Sequence, residues 1–178
     1  GGRTGGGGRG DGTIHWSAAG GLRPEGSEYV SGPGAGKATP TPGVNVIANS
    51  RVGTVVSESG LGYTWSENAH LFRLTPWHND PVSDPSGEAI YLRDEETGHF
   101  WSSTSSPCFG SNPYVTRHGF GYSVFEHTED GIRSELTVFV ALDAAVKFFS
   151  LKVHNDSGRP RRISVIGYVE WVLGDLRA

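Results

Sequence analysis

The chain has no methionine and a single cysteine, Cys108. One thiol excludes an internal disulfide, which fits a reducing compartment. No apolar run approaches the roughly 20 residues that a membrane helix needs, and the N-terminus lacks the pattern of a secretory signal. These absences set the expectation of a cytoplasmic location. Basic residues are scarce: 15 Lys and Arg stand against 19 Asp and Glu, with a formal charge of −4 and no basic stripe. Nucleic acid is therefore not expected as a partner. No segment carries the 3.6-residue period of an amphipathic helix. Without Met at position 1, and with the chain stopping directly after a strong apolar stretch, a piece of a longer protein is expected.

Glycine, by contrast, is abundant, with 27 of 178 residues. Eight of these fall in residues 1–12, and PGAGKATPTPG at 33–43 extends the same character. Residues 1–43 read as a Gly- and Pro-rich lead-in, with Thr13–Ser17 and Glu28–Val30 as short edge strands. An ordered domain is expected over 44–178. The chain's eight Phe, six Tyr and five Trp are enough for one core.

The signals after Val44 are those of strands. Arg51–Glu58 is rich in β-branched residues. Glu88–Arg93, a turn at 94–98 and His99–Ser102 read as a hairpin, as do Gly121–His127 and Ile132–Leu142 around Thr-Glu-Asp-Gly. In the last of these, Ile132, Ser134, Leu136, Val138 and Val140 alternate with Arg133, Glu135 and Thr137, the period-2 pattern of a half-buried strand. Ala145–Asn155 and Arg162–Leu173 read as a third hairpin. The expected fold is all-β, an antiparallel β-sandwich.

One segment departs from this pattern. Gly62–Asp84 (GYTWSENAHLFRLTPWHNDPVSD) holds two Trp, a Tyr, a Phe, two His, an Arg and three carboxylates, with no clean period. Flat aromatic faces beside amides, a guanidinium and carboxylates suit a pyranose, whose C–H faces stack on rings and whose hydroxyls need polar partners. Core packing of the same aromatics is the competing reading. Trp65, Asn68, Arg73, Trp77 and Asp80 are the candidate residues, with Arg117 from the Pro113–Tyr122 segment.

Other chemistry is poorly provided for. The histidines lack ligand spacing, so no metal site is expected. There is no Gly-x-Ser-x-Gly elbow, and Cys108 has no evident base and reads as a small buried hydrophobe. Glu58, Glu67, Asp80, Asp84, Glu88 and Glu170 are acids by type, but nothing in the sequence pairs two of them in one cleft.

The motifs TWSENAH (64–70), RLTPWHNDPVSD (73–84) and GYVEWVLG (167–174), within a match over roughly 45–177, resemble the N-terminal domain of the inverting glycoside phosphorylases. This is glycoside hydrolase family 94, formerly glycosyltransferase family 36, which includes cellobiose and chitobiose phosphorylases and cyclic β-1,2-glucan synthase. The resemblance implies a supersandwich-type β domain packed on a catalytic (α/α)₆ barrel that is absent from this chain. It implies a parent that phosphorolyses a β-glucosidic bond, with inorganic phosphate as co-substrate and no other cofactor. No catalytic residue is expected in this chain. The implied partners are a β-linked gluco-oligosaccharide, the chain's own C-terminal helical barrel and a second copy in a homodimer. A cyclic glucan synthase parent would be membrane-associated. A free-standing carbohydrate-binding module and a purely structural dimerisation domain are the alternatives.

Overall fold

The computed structural model describes residues 15–16, 20–23, 26–32, 43–77 and 86–173. Thirteen strands and no helix lie among them. In chain order they are β1 (His15–Trp16), β2 (Gly20–Leu22), β3 (Glu28–Ser31), β4 (Val44–Ala48), β5 (Val52–Ser57), β6 (Gly62–Ser66) and β7 (Glu88–Asp94). There follow β8 (Phe100–Ser102), β9 (Tyr114–Gly119), β10 (Tyr122–Glu129), β11 (Ile132–Val140), β12 (Lys147–Asn155) and β13 (Ile163–Val169). Every pairing is antiparallel, in a seven-stranded sheet β1-β2-β3-β9-β10-β11-β12 and two three-stranded sheets, β13-β7-β8 and β4-β5-β6. The all-β antiparallel sandwich is the architecture found.

Alternation in β11 builds the core. Leu136, Val138 and Val140 meet Phe125 of β10 and Ile47, Val52 and Val56 of the β4–β6 sheet. Ile132, on the same face, meets Leu92 and Trp101 of the β7 sheet. Both small sheets thus pack on one face of β10 and β11. The β10–β11 hairpin closes on Asp130 and Gly131 at φ 48° and 77°, the two positive values a type I′ turn requires.

Five sequence expectations change. β12 and β13 are not a hairpin: β12 pairs with β11, and β13 crosses to β7. Arg161, just before β13, is paired through its Nη2 with the buried Asp94 at the end of β7, and Glu95 N–H donates to Arg162 O at 2.9 Å. Those bonds fix β13 to its new neighbour. Gly62–Ser66, read as the start of an irregular segment, is strand β6, and Tyr114–Gly119 is strand β9. Glu28–Val30, read as an edge strand, belongs to β3, which lies inside the large sheet between β2 and β9, so strand pairing begins ahead of Val44. Cys108 is half-buried rather than in the core.

A charged pair sits within this apolar framework. Lys147, the first residue of β12, shares its inward row with Phe149 and Leu151, and Glu88 shares that of β7 with Ile90 and Leu92. The Lys147 ammonium contacts Glu88 Oε2, Thr54 Oγ1 (2.9 Å) and Thr64 Oγ1 (3.1 Å). Glu88 Oε1 accepts from Thr64 (2.5 Å) and Thr75 (2.7 Å). Both charged side chains are more than nine-tenths buried. Burial pushes the Lys147 pKa down, and Glu88 acts against that shift. Lys147→Met leaves the Glu88 charge uncompensated, and about 3–5 kcal/mol of stability is expected to be lost, read as a fall in the urea midpoint. Adding Glu88→Gln, which keeps both threonine hydrogen bonds, is expected to restore part of it.

A half-buried titratable group, His118, stands on β9. The pKa of His118 is pushed down to about 4 by burial, with Nδ1 2.9 Å from Ser123 Oγ and Nε2 buried without a partner. The unfolded chain therefore takes up this proton near pH 6.5, well before the folded one. Stability from this group is full above pH 6.5 and falls as pH drops toward 4, by at most about 1.4 kcal/mol per pH unit. Urea melts at pH 7, 5.5 and 4.5 should follow that decline, and His118→Gln should flatten it.

Candidate functional site

The aromatic segment is built on β6. Tyr63 and Trp65, two apart, share the outward face, while Thr64 between them points in to Glu88. Trp65 lies flat on Gly53 of β5, where an added Cβ would come within 2.2 Å of the indole. Position 53 therefore tolerates only glycine beneath the ring.

After Ser66 the chain turns back on itself. Glu67 takes φ 57°. Asn68 Oδ1 accepts from the N–H groups of His70 (2.9 Å) and Leu71 (2.8 Å), an Asx-type turn. Phe72 O accepts from Ser66 N–H at 3.0 Å, and Arg73 bridges back to Trp65. The return brings Trp77 beside Tyr63, with centroids 5.4 Å apart and planes at 37°, and Tyr63 lies 5.3 Å from Trp65. Such ring pairs contribute about 0.5–1.5 kcal/mol each. The Arg73 guanidinium sits 5.6 Å above the Tyr63 ring and donates to the carbonyls of Ala69 (3.3 Å) and Trp77 (3.4 Å). Thr75 anchors the base, accepting from Thr64 N–H and donating to Glu88.

Trp65, Arg73 and Trp77 therefore converge, joined by Tyr63. Asn68 shapes the turn. The loop presents Leu71 (64% exposed) and Phe72 (49% exposed) outward. Asp80, with 78–85 as a whole, lies outside the described residues. Arg117 stands elsewhere, on the large sheet among Glu28 (3.4 Å), Glu126 (3.3 Å) and Glu135 (3.8 Å). Beside it, a groove of about 380 Å³ runs over Val115, Glu126, Arg133, Glu135, Lys152 and His154.

The acids have separate fates. Glu88 is spent on Lys147, and Glu67 is exposed. Glu58 is buried at the end of β5, where burial raises its pKa. Sequence reasoning missed the Lys147–Glu88–threonine network. Its signal is a lysine in register with Phe149, Leu151 and Val153 on an otherwise apolar row.

The supersandwich-domain model of glycosyl hydrolase 94 matches residues 27–178. The chain belongs to this family. Over 164 residues, 92% of the chain, it is 38% identical to the cyclic β-(1,2)-glucan synthase NdvB of Rhizobium meliloti, covering 6% of that protein. It is 34% identical over 135 residues to an N,N'-diacetylchitobiose phosphorylase of Vibrio furnissii, covering 74% of the chain and 17% of that protein. A solabiose phosphorylase of Paenibacillus borealis is 31% identical over 166 residues, covering 86% of the chain and 20% of that protein. The chain thus spans a fifth or less of the length of these relatives. The glycosyl hydrolase 94 match includes the whole of the described aromatic loop.

The loop's hydrogen bonds predict its response to mutation. Arg73→Ala removes two carbonyl contacts and a cation–π contact, for about 1–2 kcal/mol. The thermal midpoint should fall modestly, while amide exchange should rise across 66–77 and leave β10 and β11 protected.

Proposed function

We propose that the chain is a non-catalytic, carbohydrate-associated sandwich of a β-glucan phosphorylase or cyclic β-1,2-glucan synthase. In this reading it packs on a catalytic helical barrel and borders its substrate cleft. The barrel supplies the acid that protonates the leaving oxygen, and inorganic phosphate attacks the opposite face. Phosphate is already an anionic nucleophile, so one acid suffices and no base is needed. The parent's substrate class is a β-linked gluco-oligosaccharide.

The observation that carries the docking role is how the aromatic loop spends its groups. The Asn68 carbonyl oxygen and the Arg73 guanidinium, which would be natural partners for sugar hydroxyls, are engaged in holding the loop. Between the polar Glu67 and His70 side chains and the β6 rings, it presents two bulky apolar side chains outward, Leu71 and Phe72. Rigid apolar tips of this kind suit a protein interface. The inward rows of β12 and β13 support the same reading. Phe149, Val153, Val165 and Val169 are exposed at the free edges of their sheets, with Trp171 and Leu173 beyond. A sandwich normally covers such rows, and contiguous exposed apolar surface marks a binding face.

The test compares the chain with its parent. The purified chain is expected to release no glucose 1-phosphate from glucobioses and phosphate; measurable release would overturn the non-catalytic assignment. In the full-length protein, Leu71→Ser with Phe72→Ser is expected to loosen docking, lowering the thermal midpoint of the whole and raising its protease sensitivity. Calorimetry of the chain with β-1,2- or β-1,4-gluco-oligosaccharides should be flat. Binding lost in Trp65→Ala or Trp77→Ala would favour a sugar-binding module instead.

A further inference from the structure

At the opposite end of β7, three donors from both layers of the sandwich meet. We propose that His99, Glu129 and Asp130 form a binding site for a divalent metal of the zinc class. His99 immediately precedes β8, Glu129 ends β10, and Asp130 opens the β10–β11 turn. His99 Nε2 lies 3.1 Å from Glu129 Oε1 and 4.0 Å from Asp130 Oδ2. All three donor atoms lie within 4.8 Å of one another. Zinc bonds of about 2.0–2.1 Å in tetrahedral geometry hold donors roughly 3.4 Å apart, between the two measured separations. Small rotations of two exposed side chains would close the site.

The surroundings prepare each ligand. Glu129 is 1% exposed, and its Oε2 is taken by Ser111 N–H at 2.8 Å and lies 3.0 Å from His127 Nε2. Oε1 is left directed at His99. Ligating carboxylates held in this way lose little freedom on binding. The His99 ring is tilted 30° over Trp101, with centroids 5.5 Å apart. Asp130 is held at φ 48° by the turn.

Charge points the same way. Among the described residues neither Glu129 nor Asp130 has a lysine or arginine partner. The nearby Arg161 is committed to Asp94, and it reaches only the Asp130 carbonyl, at 2.7 Å. With His127 on the far oxygen of Glu129, Glu129 Oε1 and the Asp130 carboxylate face one imidazole between them, that of His99. One imidazole with two carboxylate oxygens suits Zn²⁺ or Mn²⁺. Three protein ligands leave the fourth position to water. His99 and Asp130 are 41% and 55% exposed, which gives solvent access. A metal here would join β8 of one layer to the β10–β11 turn of the other, and so stabilise the fold by mass action.

The test is calorimetry of the purified chain with ZnCl₂, paired with thermal melts in ZnCl₂ and in EDTA. One equivalent is expected to bind, and the midpoint should rise with zinc. Asp130→Asn keeps the turn, because Asn-Gly suits type I′; it should weaken binding at least tenfold without changing the midpoint in EDTA. His99→Gln should do the same. No binding would overturn the proposal. So would zinc binding of equal strength in both variants, which would place the ion at other surface histidines.

Discussion

The fold depends on one buried contact, the Lys147–Glu88 pair and its three threonines. Lys147 comes from β12 of the large sheet and Glu88 from β7. Thr54 and Thr64 come from β5 and β6 of the third sheet, and Thr75 from the base of the aromatic loop. All three sheets and the loop thus meet at a single pair of charges. Desolvating two ions costs several kcal/mol each. An apolar replacement of similar volume could pack as well, so net stability is a weak reason for the pair. Its geometric demands are a better one. An apolar core tolerates sliding, whereas an ammonium and a carboxylate with four hydroxyl contacts require one register of β5, β6, β7 and β12.

That requirement extends outward to the aromatic loop. Thr64 points inward because its hydroxyl bonds Glu88, and its neighbours Tyr63 and Trp65 are thereby turned outward. Thr75 bonds the same carboxylate and brings the returning chain to where Trp77 reaches Tyr63. The position of the surface cluster is thus set from beneath, by a buried acid, and the loop's own hydrogen bonds only close its tip. An outer face fixed in this way can present Leu71 and Phe72 to a partner without paying much ordering entropy on contact.

The sequence made the fold class and the β7–β8 and β10–β11 hairpins legible, because Ile90 and Leu92 of β7 and Leu136, Val138 and Val140 of β11 alternate with outward residues and the turns carry Gly or Asp. It hid β6 and β9 for a shared physical reason. In β9 the inward residues Tyr114 and Thr116 carry hydroxyls, while the apolar Val115 faces out. In β6 the inward residue is Thr64. Hydropathy alternation fails where a buried position is polar and satisfied by a distant partner, such as Glu58 O for Thr116. The grouping of Trp65, Arg73 and Trp77 was legible from proximity in sequence. The separation of Arg117 was not, since it follows from sheet order. Nor was the meeting of His99 with Glu129 and Asp130, which lie some 30 residues away.

The crossover of β13 shows how one end of the molecule is organised independently of the other. Asp94 is buried at the end of β7, where the Glu96 N–H and the Arg161 guanidinium hold its carboxyl below the usual range. Arg161 also donates to Asp130 O, so it links the β7–β8 turn, the β10–β11 turn and the approach to β13. The aromatic loop joins the opposite end of β7, at Glu88. Seven residues of strand separate the two ends, roughly 20 Å. Among the described residues no shared side chain connects the loop network to the turn cluster; what joins them is the β7 backbone and the apolar rows beside it. Tightening the turn cluster should therefore raise the resistance of the sandwich to unfolding while leaving the loop's presented surface unchanged. The turn cluster and the proposed docking loop thus lie at different ends of one strand.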